Sequence, residues 1–180
     1  MDEERRLMGR VAKGDEAAFT ELVGRYGGRL LGVARRLLGS SADAEDAVQR
    51  ALLQCYLGAG TYRAEWAVST WLYRILSNVC IDELRRRRPT TDVADAGVST
   101  PSSAAAISAK VDVTRALAVV PREARVLLAL HYVDGLSHRE LATIRGISVN
   151  TVKSQLARGK AILRARLERG PHGSARRPAR

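Results

Sequence analysis

From Phe19 to Leu38 the apolar residues of this chain fall three or four positions apart, and that spacing closes off most folds. Phe19, Leu22, Val23, Tyr26, Leu30, Val33, Leu37 and Leu38 line one side of a helix. Blocks with the same period recur along the chain, punctuated by Gly, Ser and Pro. Apolar residues make up 46% of the 180, enough for buried cores, but aromatics supply only 4%. Leu, Ala and Val must therefore do most of the packing, which favours helix on helix over sheet sandwiches. The expected class is all-α, as one domain or two small ones.

The punctuation sets the boundaries. A short helical segment over residues 4–13 ends at Gly14, and Asp15 caps the long helix that follows. Gly24, Gly27, Gly28 and Gly32 interrupt that helix at about 1 kcal/mol each relative to Ala, which points to close packing or a bend. Gly39-Ser40-Ser41 ends it and opens a helix that runs to about Leu57, with Asp43, Glu45 and Asp46 near its positive dipole end. A loop from Thr61 to Ser69 leads to a further helix over about Thr70–Arg87, carried by Leu72, Ile75 and Val79, and less regularly by Trp71 and Leu84. Pro89 stops it.

Residues 89–108 are Thr, Ser, Ala, Asp and Gly with Pro101 and no lasting period, and read as a flexible linker. They divide a helical unit at 1–88 from a second at 109–169. Within the second, Leu117 and Val120 mark one helix and Pro121 suits the first turn of the next. Val126, Leu127, Leu130 and Val133 carry that helix to Asp134-Gly135, and two more follow on either side of Gly146-Ile147. The basic tail, 170–180, is expected to lack order.

The last helix pair carries the strongest chemical signal. Ser137 and Glu140 make an S-x-x-E capping box, and Leu136 with Leu141 can form the staple beside it. Gly146 provides a tight turn, and Ser148 caps the second helix. There Val149, Val152, Leu156 and Leu163 face inward, with Gly159 at a point of close packing, while Asn150, Thr151, Lys153, Ser154, Gln155 and Arg158 face outward. Two capped helices around a glycine turn, the second polar and basic outside, make a helix-turn-helix. Its N-terminus and hydroxyls suit a phosphate. Gln155 and Asn150 can pair with adenine edges, and Lys153 or Arg158 with guanine or phosphate. Lys160, Arg164, Arg166 and Arg169 extend the charge towards the DNA backbone.

The charge distribution agrees. Acids and bases balance over 1–60, residues 89–110 net −1, and the rest of the net +11 lies in residues 61–88 and from 111 onward. A GC-rich genome favouring Arg and Ala would raise the charge without any such role. No P-loop, metal spacing or Ser-His-acid set stands outside the helix caps, so neither an enzyme nor a cofactor is expected. Cys55 and Cys80 read as buried small residues. Asp43, Glu45 and Asp46 could hold a hard cation, but acids at a helix start are the commoner explanation. The start, MDEERRLMGR, lacks the apolar core of a signal peptide, and no stretch nears the roughly 18 apolar residues that span a bilayer. A cytoplasmic protein is expected.

The first unit offers two further surfaces. Asp46, Gln49, Leu53 and Tyr56 mix acid, amide and apolar groups on one helix face, as a docking surface would. Arg74, Asn78, Asp82 and Arg85 share one side of the next helix, which ends in four arginines. Tyr62, Arg63, Trp66 and Tyr73 lie in or beside the loop before it. Aromatics next to cations can stack on unpaired bases, at about 1–3 kcal/mol each. Trp71 is expected in the core.

The segments DAEDAVQRALLQCY (Asp43–Tyr56), STWLYRILSNVCIDELRRRR (Ser69–Arg88) and LSHRELATIRGISVNTVKSQLARGKAILR (Leu136–Arg164) resemble, in order and spacing, signatures of the extracytoplasmic-function sigma factors of bacterial RNA polymerase. The resemblance spans about Asp15 to Leu167. It implies that Asp43, Glu45, Asp46, Gln49 and Leu53 dock on the clamp helices of the polymerase largest subunit. Asn78 and Asp82, with Tyr62, Arg63, Trp66, Arg74 and Arg85, would read and open the minus-ten element. Ser148, Asn150, Thr151, Lys153, Ser154, Gln155 and Arg158 would read the minus-thirty-five element, with the second unit near the flap region of the second-largest subunit. The linker would run along the polymerase cleft. An anti-sigma factor, often a membrane protein, would hold such a chain inactive, at the inner membrane face where the inhibitor is anchored there; the chain itself would not enter the membrane.

This chain departs from that pattern at Arg50, where an acid is usual, and at Gln155, where Arg is common. The loop Thr61–Thr70 has an unusual arrangement of Trp66 and Val68, and the linker holds only Asp92 and Asp95 as acids. Two other readings stay open on the residues alone. One is a conventional helix-turn-helix regulator that binds duplex without polymerase. The other is a decoy that keeps the fold and binds an anti-sigma factor without melting DNA.

Overall fold

A computed structural model of the chain describes residues 2–86 and 117–168, which contain seven α-helices and no strand. These are α1 (Asp2–Val11), α2 (Glu16–Leu38), α3 (Ser41–Gly58), α4 (Val68–Arg86), α5 (Arg122–Asp134), α6 (His138–Arg145) and α7 (Val149–Glu168), with a 3-10 turn at Ala59–Thr61. The expected linker, the basic tail, Arg169 and the greater part of the helix leading to Leu117 lie outside the described residues.

Local chemistry explains the boundaries. Asp15 accepts a hydrogen bond from the Ala18 amide at 2.9 Å and starts α2. That bond, then the hydrogen bond from Arg10, holds the Asp15 carboxyl below its usual range. Gly39, at φ 75°, ends α2 by donating to the Arg35 carbonyl. Ser40 caps α3 through the Asp43 amide. Gly135 and Gly146 close α5 and α6 at φ 68° and 64°, a region where a side chain is strained.

α2, α3 and α4 pack into one bundle with α1 laid across α2 and α4, and α5, α6 and α7 pack around each other. Leu22, Leu30, Val33, Leu37, Ala47, Ala51, Cys55, Leu72, Leu76 and Cys80 fill the first core. Leu127, Leu130, Leu141, Ile144, Val152 and Leu156 fill the second. Trp71 is buried as expected, and both cysteines are free and buried. Burial pushes the Cys55 thiol up to about 12, so it stays protonated.

Two expectations need correction. The α2 glycines do not mark close packing, because a Cβ at Gly24 or Gly28 would meet nothing within 4 Å and one at Gly27 or Gly32 would meet only side chains of α2 itself. Nor is α4 buried along one stripe. Thr70, Tyr73, Ser77 and Ile81 are buried as well as the expected Trp71, Leu72, Val79 and Leu84, whereas Ile75 is only partly covered. The cause is tertiary: α5 and α6 pack against α4, and α5 also against α2.

Candidate nucleic-acid and polymerase interfaces

The helix-turn-helix is built by its caps. Ser137 Oγ accepts from the Glu140 amide at 3.3 Å, and Glu140 Oε2 accepts from the Ser137 amide at 2.8 Å, so two donors that α6 cannot satisfy internally are paired. Leu136 and Leu141 are both buried, as a staple needs. Ser148 Oγ accepts from the Thr151 amide at 3.0 Å and starts α7. Gly159 lets α7 lie against α5, since a Cβ there would come within 3.0 Å of Leu128 Cδ1 and 3.3 Å of Ala124 Cβ.

That packing turns Asn150, Lys153, Ser154 and Arg158 to solvent with Ser148, and leaves Thr151 half-exposed. Gln155 differs from expectation. It is half-buried, and its Oε1 is buried with no hydrogen-bond partner among the described residues. Of the two amides considered for adenine, Asn150 is the one displayed. Arg164 and Arg166 are exposed, and the Lys160 ammonium lies 5.7 Å from the Tyr132 ring centre.

On α4, Arg74, Asn78, Asp82 and Arg85 all lie on one exposed edge. The loop before it is braced from within. Tyr62 donates to the Trp66 carbonyl at 2.6 Å and sets its ring edge-on to Trp71, 5.6 Å away. Trp66 is half-buried, with the Arg74 guanidinium 5.2 Å from its ring centre. Arg63 is exposed beside Glu65. Tyr73 is not available for stacking, because it is buried between the two units and donates to Asp134 Oδ1 at 2.9 Å. Arg5 of α1, which the sequence did not single out, donates to the Ala64 carbonyl at 2.9 Å and ties this loop down.

On α3, Glu45, Asp46, Gln49 and Leu53 are exposed, Asp43 is half-exposed, and Leu53 keeps 59% of its surface open. Leu57, one turn on, is 74% exposed and extends the same face. Continuing the three-four spacing past Leu53 would have found it. Tyr56 is partly covered by Phe19, ring centres 5.0 Å apart. Arg50 links that face to α4, contacting Asp46 at 3.0 Å and Glu83 of α4 at 2.9 Å. Among the described residues no cluster of His, Cys, Asp and Glu could hold a metal ion, and no helix is long and apolar enough to cross a membrane.

Three surfaces are thus set out: acidic and apolar on α3, mixed and aromatic around α4, basic and polar on α7. The sequence matches the family models Sigma-70 region 2 over residues 22–90 and Sigma-70, region 4 over residues 110–163. It is 37% identical to the ECF RNA polymerase sigma factor SigM of Mycobacterium tuberculosis over 159 residues, covering 87% of this chain and 81% of that one. It is 30% identical to SigW of Bacillus subtilis, covering 87% and 92% of the two chains. It is 31% identical to the ECF sigma-E factor of Escherichia coli, covering 87% and 90%. A solved structure of CnrH in complex with the cytosolic domain of CnrY superposes with a TM-score of 0.74 at 27% identity, over 93% of this chain and 98% of that one. The sigma factor RpoE bound to the anti-sigma factor NepR, from Bartonella quintana, shares the fold, with a TM-score of 0.67 at 23% identity over 83% and 96%. With both sigma-70 regions in register and such relatives along most of its length, the chain belongs to the extracytoplasmic-function sigma factors, which direct promoter-specific transcription.

Proposed function

We propose that the three surfaces divide the work of initiation between them. The α3 face, with Asp43, Glu45, Asp46, Gln49, Leu53 and Leu57, docks on the clamp helices of core RNA polymerase. Acids supply the charge match, and the two open leucines supply apolar area. The α4 edge and its loop, with Arg63, Trp66, Arg74, Asn78, Asp82 and Arg85, hold the minus-ten element and trap unpaired bases, with Tyr62 bracing the loop from beneath. The α7 face, with Ser148, Asn150, Thr151, Lys153, Ser154, Gln155 and Arg158, reads the minus-thirty-five duplex.

The observation that carries this reading is the α7 face. A serine-capped helix N-terminus and four exposed polar or basic side chains project together from a rigid, capped helix pair. That is the geometry of major-groove entry. Melting needs no nucleotide hydrolysis, because binding free energy offsets the few kcal/mol that unstacking a base costs. The chain works in the cytoplasm as a binding protein. Its inhibitor is a protein of the anti-sigma kind, as the likeness to CnrH with CnrY and to RpoE with NepR suggests.

Permanganate footprinting of promoter DNA with core polymerase and this chain tests the proposal. Thymines near the start site should become reactive only when both proteins are present. Unchanged reactivity removes the melting role. In a gel shift without polymerase the chain should bind duplex poorly; tight specific binding would mark a conventional regulator.

A further inference from the structure

The loop between the 3-10 turn and α4 is shaped from within. The Trp66 amide donates to the Arg63 carbonyl at 3.1 Å, closing a turn with Ala64 and Glu65 at its centre. The Tyr62 hydroxyl donates to the Trp66 carbonyl at 2.6 Å, and the Tyr62 ring seats the base of the loop against Trp71, 5.6 Å away. The crest, where Ala64 and Glu65 are exposed, is held from another helix. Arg5 of α1 donates from Nη2 to the Ala64 carbonyl at 2.9 Å.

α1 is a firm post for that bond. Leu7, Met8 and Val11 are buried, and the helix packs against α2, α4 and the 3-10 turn. On the turn that carries Arg5, Glu4 accepts from the Tyr26 hydroxyl of α2, and Glu3 pairs with Arg25 of the same helix. The first turn of α1 also lies under the loop. Burial and then the Glu4 charge push the Tyr62 phenol up, while Arg5 opposes them. All of this precedes the stretch that matches the region 2 model, residues 22–90.

We propose that α1 is a strut that presets the minus-ten loop, and that Arg5 is a positioning residue for strand trapping, acting through Ala64. The inference rests on the reading of this loop as the strand trap. Arg63 and Trp66 are the two ends of the turn whose crest Arg5 holds, so fixing Ala64 fixes the direction of both side chains. A loop ordered in advance loses less conformational entropy when a base stacks on it than one that the base must order. Without the bond the turn keeps its internal shape but rocks about its Tyr62 seat.

The test compares Arg5→Ala, Arg5→Lys and Arg6→Ala in the full chain. Arg6 is exposed on the same helix and controls for the loss of a charge. In Arg5→Ala the amides of residues 63–67 should exchange hydrogen about three- to tenfold faster, as loss of one hydrogen bond allows, with exchange in α2 and α4 unchanged. With core polymerase and a promoter fragment mismatched across the minus-ten segment, that variant should bind about three- to tenfold more weakly. The slope of log K against log salt should stay the same, because no phosphate contact is lost. Arg5→Lys keeps a donor and should restore most of both quantities, and Arg6→Ala should alter neither. Unchanged loop exchange in Arg5→Ala overturns the strut. So does a salt slope reduced by about 0.7 or more, which would make Arg5 a phosphate contact. Faster exchange spread through α2 and α4 overturns it too, since α1 would then be a general stabiliser. Faster loop exchange with unaltered binding keeps the tether and ends the assignment of the loop to the strand.

Discussion

Arg50 of α3 donates to Glu83 of α4 at 2.9 Å and also contacts Asp46 at 3.0 Å, joining the two helices. The two partners keep only 30% and 20% of their side-chain surface. The hydrogen bond to Glu83, followed by the Asp46 and Glu83 charges, outweighs the opposing cost of burial and raises the Arg50 pKa. Arg50 therefore serves the α3–α4 joint. Arg50→Ala should lower stability by about 1–2 kcal/mol, between the worth of an exposed pair and the loss on breaking a buried one. Urea unfolding followed by circular dichroism measures it. A change below roughly 0.3 kcal/mol, the error of such a curve, would make the pair ornamental.

Two glycine substitutions should move stability in opposite directions. At Gly28 of α2 a Cβ meets nothing within 4 Å, so Gly28→Ala should stabilise by about 0.5–1 kcal/mol through helix propensity alone. At Gly159 a side chain meets Leu128 and Ala124 at 3.0 and 3.3 Å, and Gly159→Val should cost about 2 kcal/mol by forcing α7 off α5. Thermal unfolding of the two variants, side by side, decides the matter.

Alkaline pH should loosen the joint between the units. Burial, then the hydrogen bond to Asp134 and that carboxylate's charge, push the Tyr73 phenol well above the ordinary value of 10.0. A pKa raised by folding gives stability that is complete below the unfolded value, here about 10, and is lost as pH climbs through the folded one. Urea stability should hold from about pH 7 to 8, begin to fall near 9, where the buried Cys55 thiol raised from 9.0 to about 12 starts to cost, and fall further beyond about 10. Tyr26, raised mainly by its own burial and by its hydrogen bond to Glu4, adds a further alkaline loss. Tyr73→Phe should therefore flatten only part of the fall, at a cost of about 1–2 kcal/mol at neutral pH from the stranded Asp134. An unchanged alkaline profile would refute the assignment.

On promoter DNA, with core polymerase present, Arg164 and Asn150 should separate backbone from base contacts. Arg164→Ala should weaken binding to all sequences alike and reduce the slope of log K against log salt by about 0.9. Asn150→Ala should leave the slope alone and relax one position of the upstream element by about 1–3 kcal/mol. Selection from a randomised upstream element at two salt concentrations reads both quantities.

Every helix within the described residues was legible in the order of residues to within about two positions, because most boundaries rest on local chemistry. Asp15, Ser40, Ser137 and Ser148 cap; Gly39, Gly135 and Gly146 release the chain into the left-handed region. The helix-turn-helix and the exposed edge of α4 were legible for the same reason, since helical period alone assigns Asn150, Lys153, Arg74 and Asn78 to their faces. What meets those faces was set by the packing of whole helices. Nothing in the order of residues says that Arg145 reaches Asn78, that Tyr73 finds Asp134 instead of a base, or that Arg5 holds Ala64. These partners are tens of residues apart, and their pairing depends on how whole helices pack, a balance of buried area and polar satisfaction that no local period encodes.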